Sequence, residues 1–269
     1  MVIPIVVDKV LKDYINLLNE HLPGTLEGLY IHGSIALDAY VENSSDIDFI
    51  TLTNRRLTVQ DKEALSYIHR TIESKYKKPE MDGVYALRGD MGKLYISIDD
   101  QIEYPYYNNG ELAFGEYFNF NPITWWVLRE KGIKVLGPEI EGFQLDSQPI
   151  DLRSYVLENM NSYWTNRVQM ADASFEQLIQ LPTEQIDFEI EWTVLGLLRQ
   201  FYTIKENDIV SKLAAGEYGL TQLPVEWHNI IKEAMNIRKD KKERVFNSER
   251  DRLDHAVRLS KYLINHCNE

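Results

Sequence analysis

The chain has almost no cysteine and no long apolar run, and each shortage excludes a class of protein. A single cysteine, Cys267, stands among the 269 residues, so neither an internal disulfide nor a cysteine-based zinc site can form. No stretch reaches the run of about 20 apolar residues that a membrane-spanning helix needs. The first residues lack a basic segment and a small-residue cleavage site, which predicts no secretory signal. We therefore expect a cytoplasmic protein.

Positive charge is also scarce. The 29 Lys and Arg residues face 42 Asp and Glu residues, which gives a formal net charge of -13. Because phosphate backbones and anionic lipid surfaces attract a basic face, this balance predicts neither a nucleic acid nor a membrane as partner. A small cationic molecule suits an acidic protein better. The hydrophobic fraction of 44% is that of a globular protein.

Helical and strand patterns alternate in the first 150 residues. Helical spacing of apolar residues predicts helices over 2–22 and 58–78. A long ordered loop is predicted over 103–121, and a helix with a short strand and turn over 122–140. Short apolar or alternating runs predict strands over 26–34, 46–53, 81–87 and 93–98. The first of these runs ends in a Gly-Ser turn. This order predicts a small mixed sheet with helices packed on it.

The pattern changes near residue 150. From residue 151 onward, helical periodicity dominates and few strand candidates remain. The predicted fold class is therefore α+β, with a mixed domain over 1–150 followed by an α-helical bundle over 151–269. We expect a monomer or a weak dimer.

Two aspartates, Asp46 and Asp48, stand one residue apart at the start of a predicted strand, DIDFITLT. Residues i and i+2 of a strand project to the same face, so the two carboxylates repel each other. A divalent cation such as Mg²⁺, which prefers oxygen ligands, relieves that repulsion and can also hold substrate phosphates. The alternative is a solvated strand end with two exposed acids.

A Gly-Ser pair, Gly33 and Ser34, follows the preceding predicted strand, with eleven residues between Ser34 and Asp46. Such a corner can bring backbone N–H groups and a hydroxyl close to a phosphate. The combination of Gly-Ser, this spacer and Asp-x-Asp is more specific than either part alone. It favours a phosphate-binding metal site over the solvated strand end.

This pattern resembles the nucleotidyltransferase superfamily of the DNA polymerase beta type. The chain also resembles the aminoglycoside adenylyltransferases of the streptomycin/spectinomycin kind, which have a similar length. The matching stretches occur in the family's order and lie at 32–52, 111–117 (ELAFGEY), 135–140 (VLGPEI) and 197–224 (which contains SKLAAGEY). The resemblance implies a nucleotidyltransferase domain over 1–150 and the family's helical domain over 151–269.

The resemblance also implies a reaction. The family transfers AMP from ATP to a hydroxyl of an aminoglycoside or aminocyclitol antibiotic and releases pyrophosphate. Asp46, Asp48 and Asp82 are then the expected catalytic carboxylates and the ligands of two Mg²⁺ ions, and Asp82 would also take the proton from the attacking hydroxyl. Glu80, two residues before Asp82, is the alternative third carboxylate, and the family more often has Glu at the position of Asp82.

For the nucleotide, the resemblance implies that Gly33 and Ser34 bind the β/γ end of the triphosphate. Arg199 and Lys212 would neutralise the departing pyrophosphate, because both provide fixed donors for negative charge. Without the resemblance, Arg199 would be read as an amphipathic-helix residue and Lys212 as a solvated one. The basic run RKDKKER at 238–244 predicts a solvated helix face, with a phosphate contact from Arg238 or Lys239 as the alternative.

The acceptor should be held by acids and aromatic rings, because it carries cationic groups on flat rings. We expect Glu116 and Tyr117 to contribute, together with Glu189 and Glu191, which are placed before the helix that carries Arg199. Tyr117 and Glu189 stand where dual-specificity members have Trp and Asp, which favours spectinomycin or another aminocyclitol over streptomycin. Trp192 stands where several members of the family have a smaller or polar residue, which indicates a reshaped pocket.

Two other functions fit parts of the sequence. A protein of the same fold could nucleotidylate another small molecule or a protein, or it could be a non-catalytic nucleotide-binding module. The presence of Asp46, Asp48 and Asp82 together favours catalysis, because a non-catalytic protein has no need to hold three acids at one place.

Overall fold

A computed structural model describes residues 3–95, 102–145 and 149–269, and in the last range it describes side chains from residue 152 onward. The chain divides into two compact units, Met1–Ser147 and Gln148–Glu269. We call them the N-terminal unit and the C-terminal unit.

Helices and strands of the N-terminal unit alternate along the chain. Apolar residues at helical spacing form the longer helices, and β-branched and aromatic residues fill the central strands. In chain order the elements are α1 (Ile5–His21), β1 (Leu26–Ile31), α2 (Gly33–Ala36), β2 (Ile47–Thr53), α3 (Lys62–Lys75), β3 (Met81–Ala86), β4 (Tyr104–Asn108), β5 (Glu111–Gly115), α4 (Pro122–Lys131) and β6 (Ile133–Leu136).

The described strands form one mixed sheet in the order β5-β4-β3-β2-β1-β6. Strands β2 and β3 run parallel, and α3 connects them. The other neighbouring strands pair antiparallel. The parallel pair at the centre brings the amino ends of β2 and β3 to the same edge of the sheet.

Each face of the sheet has its own core. One core contains Phe49 of β2 together with residues of α1 and α3, and the other contains Ile50 of β2 together with residues of α4. Successive side chains of a strand point to opposite faces, so Asp48 lies on the same face as Ile50. Asp82 shares that face, because Val84 of β3 belongs to the same core as Ile50.

The aromatic segment predicted as a loop over 103–121 is in part a β-hairpin, and the prediction is wrong there. Strands β4 and β5 pair in register from Tyr104↔Gly115 to Asn108↔Glu111. Asn109 and Gly110, which connect them, both have positive φ angles, as a two-residue hairpin turn requires. Half of the predicted strand over 93–98 lies outside the described residues, and its described half, 93–95, is not a strand.

Helices joined by turns and irregular segments form the C-terminal unit, and its described residues contain no strand. Its longest helix, Thr183–Glu206, packs against four other helices of the unit, which places it at the centre of the bundle. The helices are α5 (Pro149–Asn159), α6 (Thr165–Ala173), α7 (Phe175–Leu178), α8 (Thr183–Glu206), α9 (Lys212–Gln222), α10 (His228–Arg238) and α11 (Glu249–Cys267), with a single π-helical segment (Met160–Trp164) between α5 and α6. Across the described ranges, no helix combines the length and the apolar character needed to cross a bilayer.

Candidate active site

Two of the predicted carboxylates face each other across the parallel strands. Asp48 of β2 and Asp82 of β3 are direct partners in the sheet register. Both lie on the same face, and Asp46 precedes β2 by one residue and is exposed. The strand pairing therefore places Asp82 beside the Asp-x-Asp sequence, although more than thirty residues separate them along the chain.

The pKa of Asp82 reflects the nearby carboxylates of Asp48 and Asp46. Burial, the Asp48 charge and the Asp46 charge raise the pKa of Asp82 to about 7. The Asn108 side-chain amide donates a hydrogen bond to Asp82 Oδ2 at 3.1 Å. The other oxygen, Oδ1, is buried and accepts no hydrogen bond from the described residues. A buried carboxylate oxygen in this state is suited to take a cation or a proton.

Gly33 and Asp48 are in close contact. Gly33 has a φ of +60°, and a Cβ built on it would lie 1.8 Å from Asp48 Oδ2. The backbone N–H of the neighbouring His32 donates to the Asp48 carbonyl at 3.0 Å. The position therefore requires glycine both for its left-handed backbone and for space.

Ser34 and His32 flank this glycine with buried polar atoms. Ser34 Oγ and His32 Nε2 have no hydrogen-bond partner in the described part of the chain. Burial lowers the pKa of His32 to about 4, so its ring is neutral near pH 7. The Ser34 hydroxyl can therefore still donate a hydrogen bond to a ligand.

The carboxylates of the N-terminal unit fit Mg²⁺ by donor type. Within the described ranges, no three His, Cys, Asp or Glu side chains are grouped so that they could hold a metal ion by themselves. Mg²⁺ commonly uses one or two carboxylates and completes its octahedron with water and substrate phosphates. The in-register pair Asp48 and Asp82, with Asp82 Oδ1 available, meets that smaller requirement.

Glu80, the alternative third carboxylate, has different surroundings. Its carboxylate lies 2.8 Å from Lys78 Nζ, and it lines a small cavity with His69 and Tyr107. Tyr107 belongs to the core on the opposite face of the sheet from Asp48. The geometry therefore groups Asp82, and not Glu80, with the Asp-x-Asp sequence.

The FGEY stretch divides into an exposed and a buried residue. Glu116 is exposed directly after β5. Tyr117 is 1% exposed and packs edge-on against Phe120, with ring centroids 5.2 Å apart. Burial raises the pKa of Tyr117, and the nearby Asp82 charge raises it further. The prediction of Tyr117 as an open surface for substrate rings is therefore corrected: the ring belongs to the core beside the carboxylates.

In the C-terminal unit, the central helix α8 carries four of the residues singled out in the sequence. Glu189, Glu191, Trp192 and Arg199 all lie on it. The prediction that the two glutamates precede the helix of Arg199 is wrong, because that helix already begins at Thr183. Apolar spacing from Ile186 to Ile204 continues through these polar positions and forms one uninterrupted helix.

Glu191 is a buried ion-pair partner and not an open acid. Its two carboxylate oxygens accept hydrogen bonds from Lys212 Nζ at 3.2 and 3.1 Å. Arg238 Nη1 lies 3.3 Å from the same carboxylate. The Arg199 Nε–H donates to the Val210 carbonyl at 3.1 Å, and the Arg199 charge is near enough to affect the pKa of Lys212. Lys212 and Arg238 thus both pair with Glu191, and Arg199 lies near enough to Lys212 for its charge to act on it.

Arg238 was not favoured as a functional residue in the sequence, because it begins a run of basic residues. Its side chain is only 13% exposed, whereas the next residue, Lys239, is exposed. The sequence contains a feature that indicates this burial. Arg238 lies four residues after Ala234 and seven after Ile231, which are both buried. That spacing puts Arg238 on the buried stripe of α10.

The remaining predicted acceptor-binding residues lie near the surface of α8. Glu189 pairs with Arg167, at 2.5 Å between Oε2 and Nη2. Trp192 is 38% exposed and stacks on Phe188, with ring centroids 5.8 Å apart. Lys212 Nζ lies 4.8 Å from the centre of the Trp192 ring. An aromatic surface and a cation therefore adjoin each other on this unit.

Comparisons with known proteins concern the fold and the C-terminal unit. Residues 164–263 match the family model described as Aminoglycoside adenylyltransferase, C-terminal domain. The chain is also similar in fold to a solved spectinomycin adenyltransferase, AAD(9) from Enterococcus faecialis, whose structure contains ATP and spectinomycin. The TM-score is 0.67 at 19% sequence identity, over 97% of this chain and 99% of that chain. A search of curated proteins gives no match.

At 19% identity the solved structure establishes the fold, and the match over 164–263 connects the C-terminal unit with one enzyme family. The resemblance seen in the sequence and the α+β fold class are both confirmed. Residues 164–263 thus match a domain of the aminoglycoside adenylyltransferases, and the chain as a whole shares the fold of a solved spectinomycin adenyltransferase.

Proposed function

We propose that the protein transfers AMP from ATP to a hydroxyl of an aminoglycoside or aminocyclitol antibiotic in the presence of Mg²⁺ and releases pyrophosphate. The observation that carries this proposal is the in-register pair Asp48 and Asp82 beside the left-handed Gly33. The match of the C-terminal unit to the adenylyltransferase domain supports the same reaction class.

Three carboxylates share the catalytic roles in this proposal. Asp46, Asp48 and Asp82 are the residues that would hold Mg²⁺, with two ions expected from the family resemblance. When bound, the metal would neutralise triphosphate charge and polarise the α-phosphate. We assign to Asp82 the further role of accepting the proton of the acceptor hydroxyl as a general base.

Phosphate binding falls to two sets of residues. In the N-terminal unit, Gly33 supplies backbone and Ser34 supplies its buried hydroxyl to the β/γ end of ATP. In the C-terminal unit, Arg199 and Lys212 would bind phosphate oxygens and stabilise the charge that develops on the leaving pyrophosphate. The buried Glu191 accepts two hydrogen bonds from Lys212, which keeps Lys212 in place.

For the acceptor we propose a small cationic hydroxylated molecule, with spectinomycin as the first compound to test. Glu116 is exposed and offers a carboxylate to an ammonium group. The Glu189 carboxylate can bind a second ammonium group if its ion pair with Arg167 is broken. Trp192 provides a partly exposed ring. The solved relative contains spectinomycin, which supports this choice of compound.

The test is mass spectrometry of spectinomycin and streptomycin after incubation with the enzyme, ATP and Mg²⁺. We expect spectinomycin to gain one adenylyl group, and the gain to be absent without Mg²⁺ and with Asp48→Asn. If neither drug is modified by folded enzyme that binds ATP, the acceptor is wrong. If the Asp48→Asn variant is as active as the unchanged chain, the proposed metal ligands are wrong.

A further inference from the structure

A small cavity of the N-terminal unit lies between α3 and the turn of the β4–β5 hairpin, on the face of the sheet opposite to Asp48. It opens to solvent, and its volume is about 20 Å³. That volume is enough for one group of the size of a water molecule or an ammonium. Four of the side chains that line it are polar, namely His69, Glu73, Glu80 and Tyr107.

The His69 ring forms one wall of this cavity, and its hydrogen bonding is incomplete. His69 is 1% exposed, and its Nε2 lies 2.8 Å from the Tyr85 hydroxyl. Its Nδ1 is buried and makes no hydrogen bond within the part of the chain that the structure describes. A buried polar atom without a partner is costly, and a ligand or an ordered water commonly satisfies it.

The other polar groups of the cavity are oxygen atoms in an acidic environment. The Tyr107 ring is stacked on His69, with ring centroids 3.8 Å apart. Burial and the charges of Glu73 and Glu80 raise the pKa of Tyr107. Glu80 is paired with Lys78 at 2.8 Å, which makes Glu73 the more suitable carboxylate for a ligand. These surroundings favour a cation that donates hydrogen bonds.

The apolar part of the lining indicates which kind of cation fits. Ile72 and Met81, which are both buried, line the same cavity and offer an apolar wall to an alkyl chain. Among the described residues, His, Cys, Asp and Glu side chains form no group of three that could hold a metal ion. An ammonium group needs only a few nitrogen or oxygen acceptors, and it has no acceptor of its own. A primary alkylammonium therefore matches the size, the polar atoms and the walls of the cavity.

We propose that this cavity binds the head group of a primary alkylammonium compound. The ammonium donates hydrogen bonds to His69 Nδ1, to the Tyr107 oxygen and to the Glu73 carboxylate, and its alkyl chain lies against the apolar wall. His69 then carries its proton on Nε2, which donates to the Tyr85 oxygen. The site is separate from the candidate active site, because it lies on the other face of the sheet.

The test is a titration of the full chain with n-butylammonium chloride, followed by NMR of histidine side chains labelled with the heavy nitrogen isotope. The ring nitrogen signals of His69 report both the position of its proton and contact with a ligand. We expect a saturable shift of the Nδ1 signal. Tetramethylammonium chloride at the same ionic strength should give no shift, because this cation has no N–H group to donate.

Two variants locate the ligand in the cavity. Glu73→Gln should weaken n-butylammonium binding at least about tenfold, because a charge-assisted hydrogen bond is lost. Tyr107→Phe should weaken it less, because the lost acceptor is neutral. Glu63→Gln is the matched control and should leave the affinity unchanged, since Glu63 is an exposed acid of the same helix that does not line the cavity.

A constant His69 signal throughout the n-butylammonium titration would overturn the proposed site and would leave water as the occupant. An equal response to tetramethylammonium would overturn it too, as would equal affinities of folded Glu73→Gln and Glu63→Gln proteins. Folding of each variant is checked by the midpoint of thermal unfolding. No nucleotide or antibiotic is present in these titrations, so their outcome does not depend on the proposed adenylyl transfer.

Discussion

The Asp48 carboxylate lies against the backbone of Gly33 so closely that a single added carbon would overlap it. That carbon would be 1.8 Å from Asp48 Oδ2, at a residue whose φ is +60°. The contact joins the two parts of the Gly-Ser and Asp-x-Asp pattern in one place. It explains why the pattern has predictive value: the glycine makes room for the carboxylate.

Replacing Gly33 by alanine should therefore impair both folding and chemistry. The new Cβ must displace Asp48 or shift the backbone from a conformation that non-glycine residues avoid, at a cost on the order of 1–3 kcal/mol. Adenylyl transfer should fall by more than the loss of stability explains. Gly89→Ala is the control, because a Cβ there meets nothing within 4 Å. Equal transfer rates and equal thermal midpoints for both variants would contradict the contact.

Asp82→Asn should abolish most of the transfer without harming the fold. Loss of a general base typically lowers a rate by roughly 10²–10⁴-fold. Asn is neutral and can still accept the hydrogen bond from the Asn108 amide, so the thermal midpoint should stay or rise because the repulsion from Asp48 and Asp46 disappears. Glu80→Gln serves as the comparison, since that carboxylate lies in other surroundings. A larger rate loss in Glu80→Gln than in Asp82→Asn would reverse the assignment.

Stability of the N-terminal unit should fall in acid because of His69. Its Nε2 lies 2.8 Å from the Tyr85 hydroxyl, and burial lowers its pKa from 6.5 to about 3. Below pH 6.5 the unfolded chain binds a proton that the folded chain does not, so stability is lost as the pH falls from 6.5 toward 3. In His69→Phe this contribution to the pH slope should be absent.

The measurement is urea unfolding at a series of pH values for the unchanged chain, His69→Phe and Tyr85→Phe. Tyr85→Phe removes the same hydrogen bond but keeps the imidazole. It should retain the acid sensitivity that His69→Phe loses. Parallel pH slopes for the unchanged chain and His69→Phe would refute the assignment to this side chain.

Glu233 should be among the costliest acids to neutralise in the C-terminal unit. Its side chain is 0% exposed, and it accepts hydrogen bonds from Arg252 Nε at 2.7 Å and from the Val245 backbone at 2.6 Å. Glu233→Gln removes the most buried of the three acids that pair with Arg252, the others being Asp187 and Glu249, and we expect a loss of about 1–3 kcal/mol in the free energy of unfolding. The exposed Glu217 on α9 is the control, and Glu217→Gln should change the value by less than about 0.5 kcal/mol.

Local sequence patterns were sufficient for the elements that hold the carboxylates. The alternation in DIDFITLT and MDGVYAL predicted β2 and β3, and apolar spacing predicted α1 and α3. The hairpin β4–β5 was missed because its aromatic residues and asparagines resemble a loop. The Asn109-Gly110 dipeptide, a strong hairpin signal, was the informative feature.

The site required information that a linear pattern does not contain. The register that pairs Asp48 with Asp82 depends on which strands are neighbours, and the family resemblance supplied that expectation. The burial of Tyr117 and Glu191 depends on tertiary packing, so both were expected to be more open than they are. The roles of all the predicted site residues, the domain boundary near residue 150, the oligomeric state and the cytoplasmic location stay predictions.

The hydrogen bond from Asn108 to Asp82 gives the hairpin an influence on the chemistry. Asn108 is the last residue of β4, directly before the turn at Asn109 and Gly110. Natural sequences vary readily at such turns, since few packing contacts restrain them. Substitutions in this turn could retune the proton affinity of the proposed base while every carboxylate is retained, which offers a route for related enzymes to adapt to acceptor hydroxyls of different acidity.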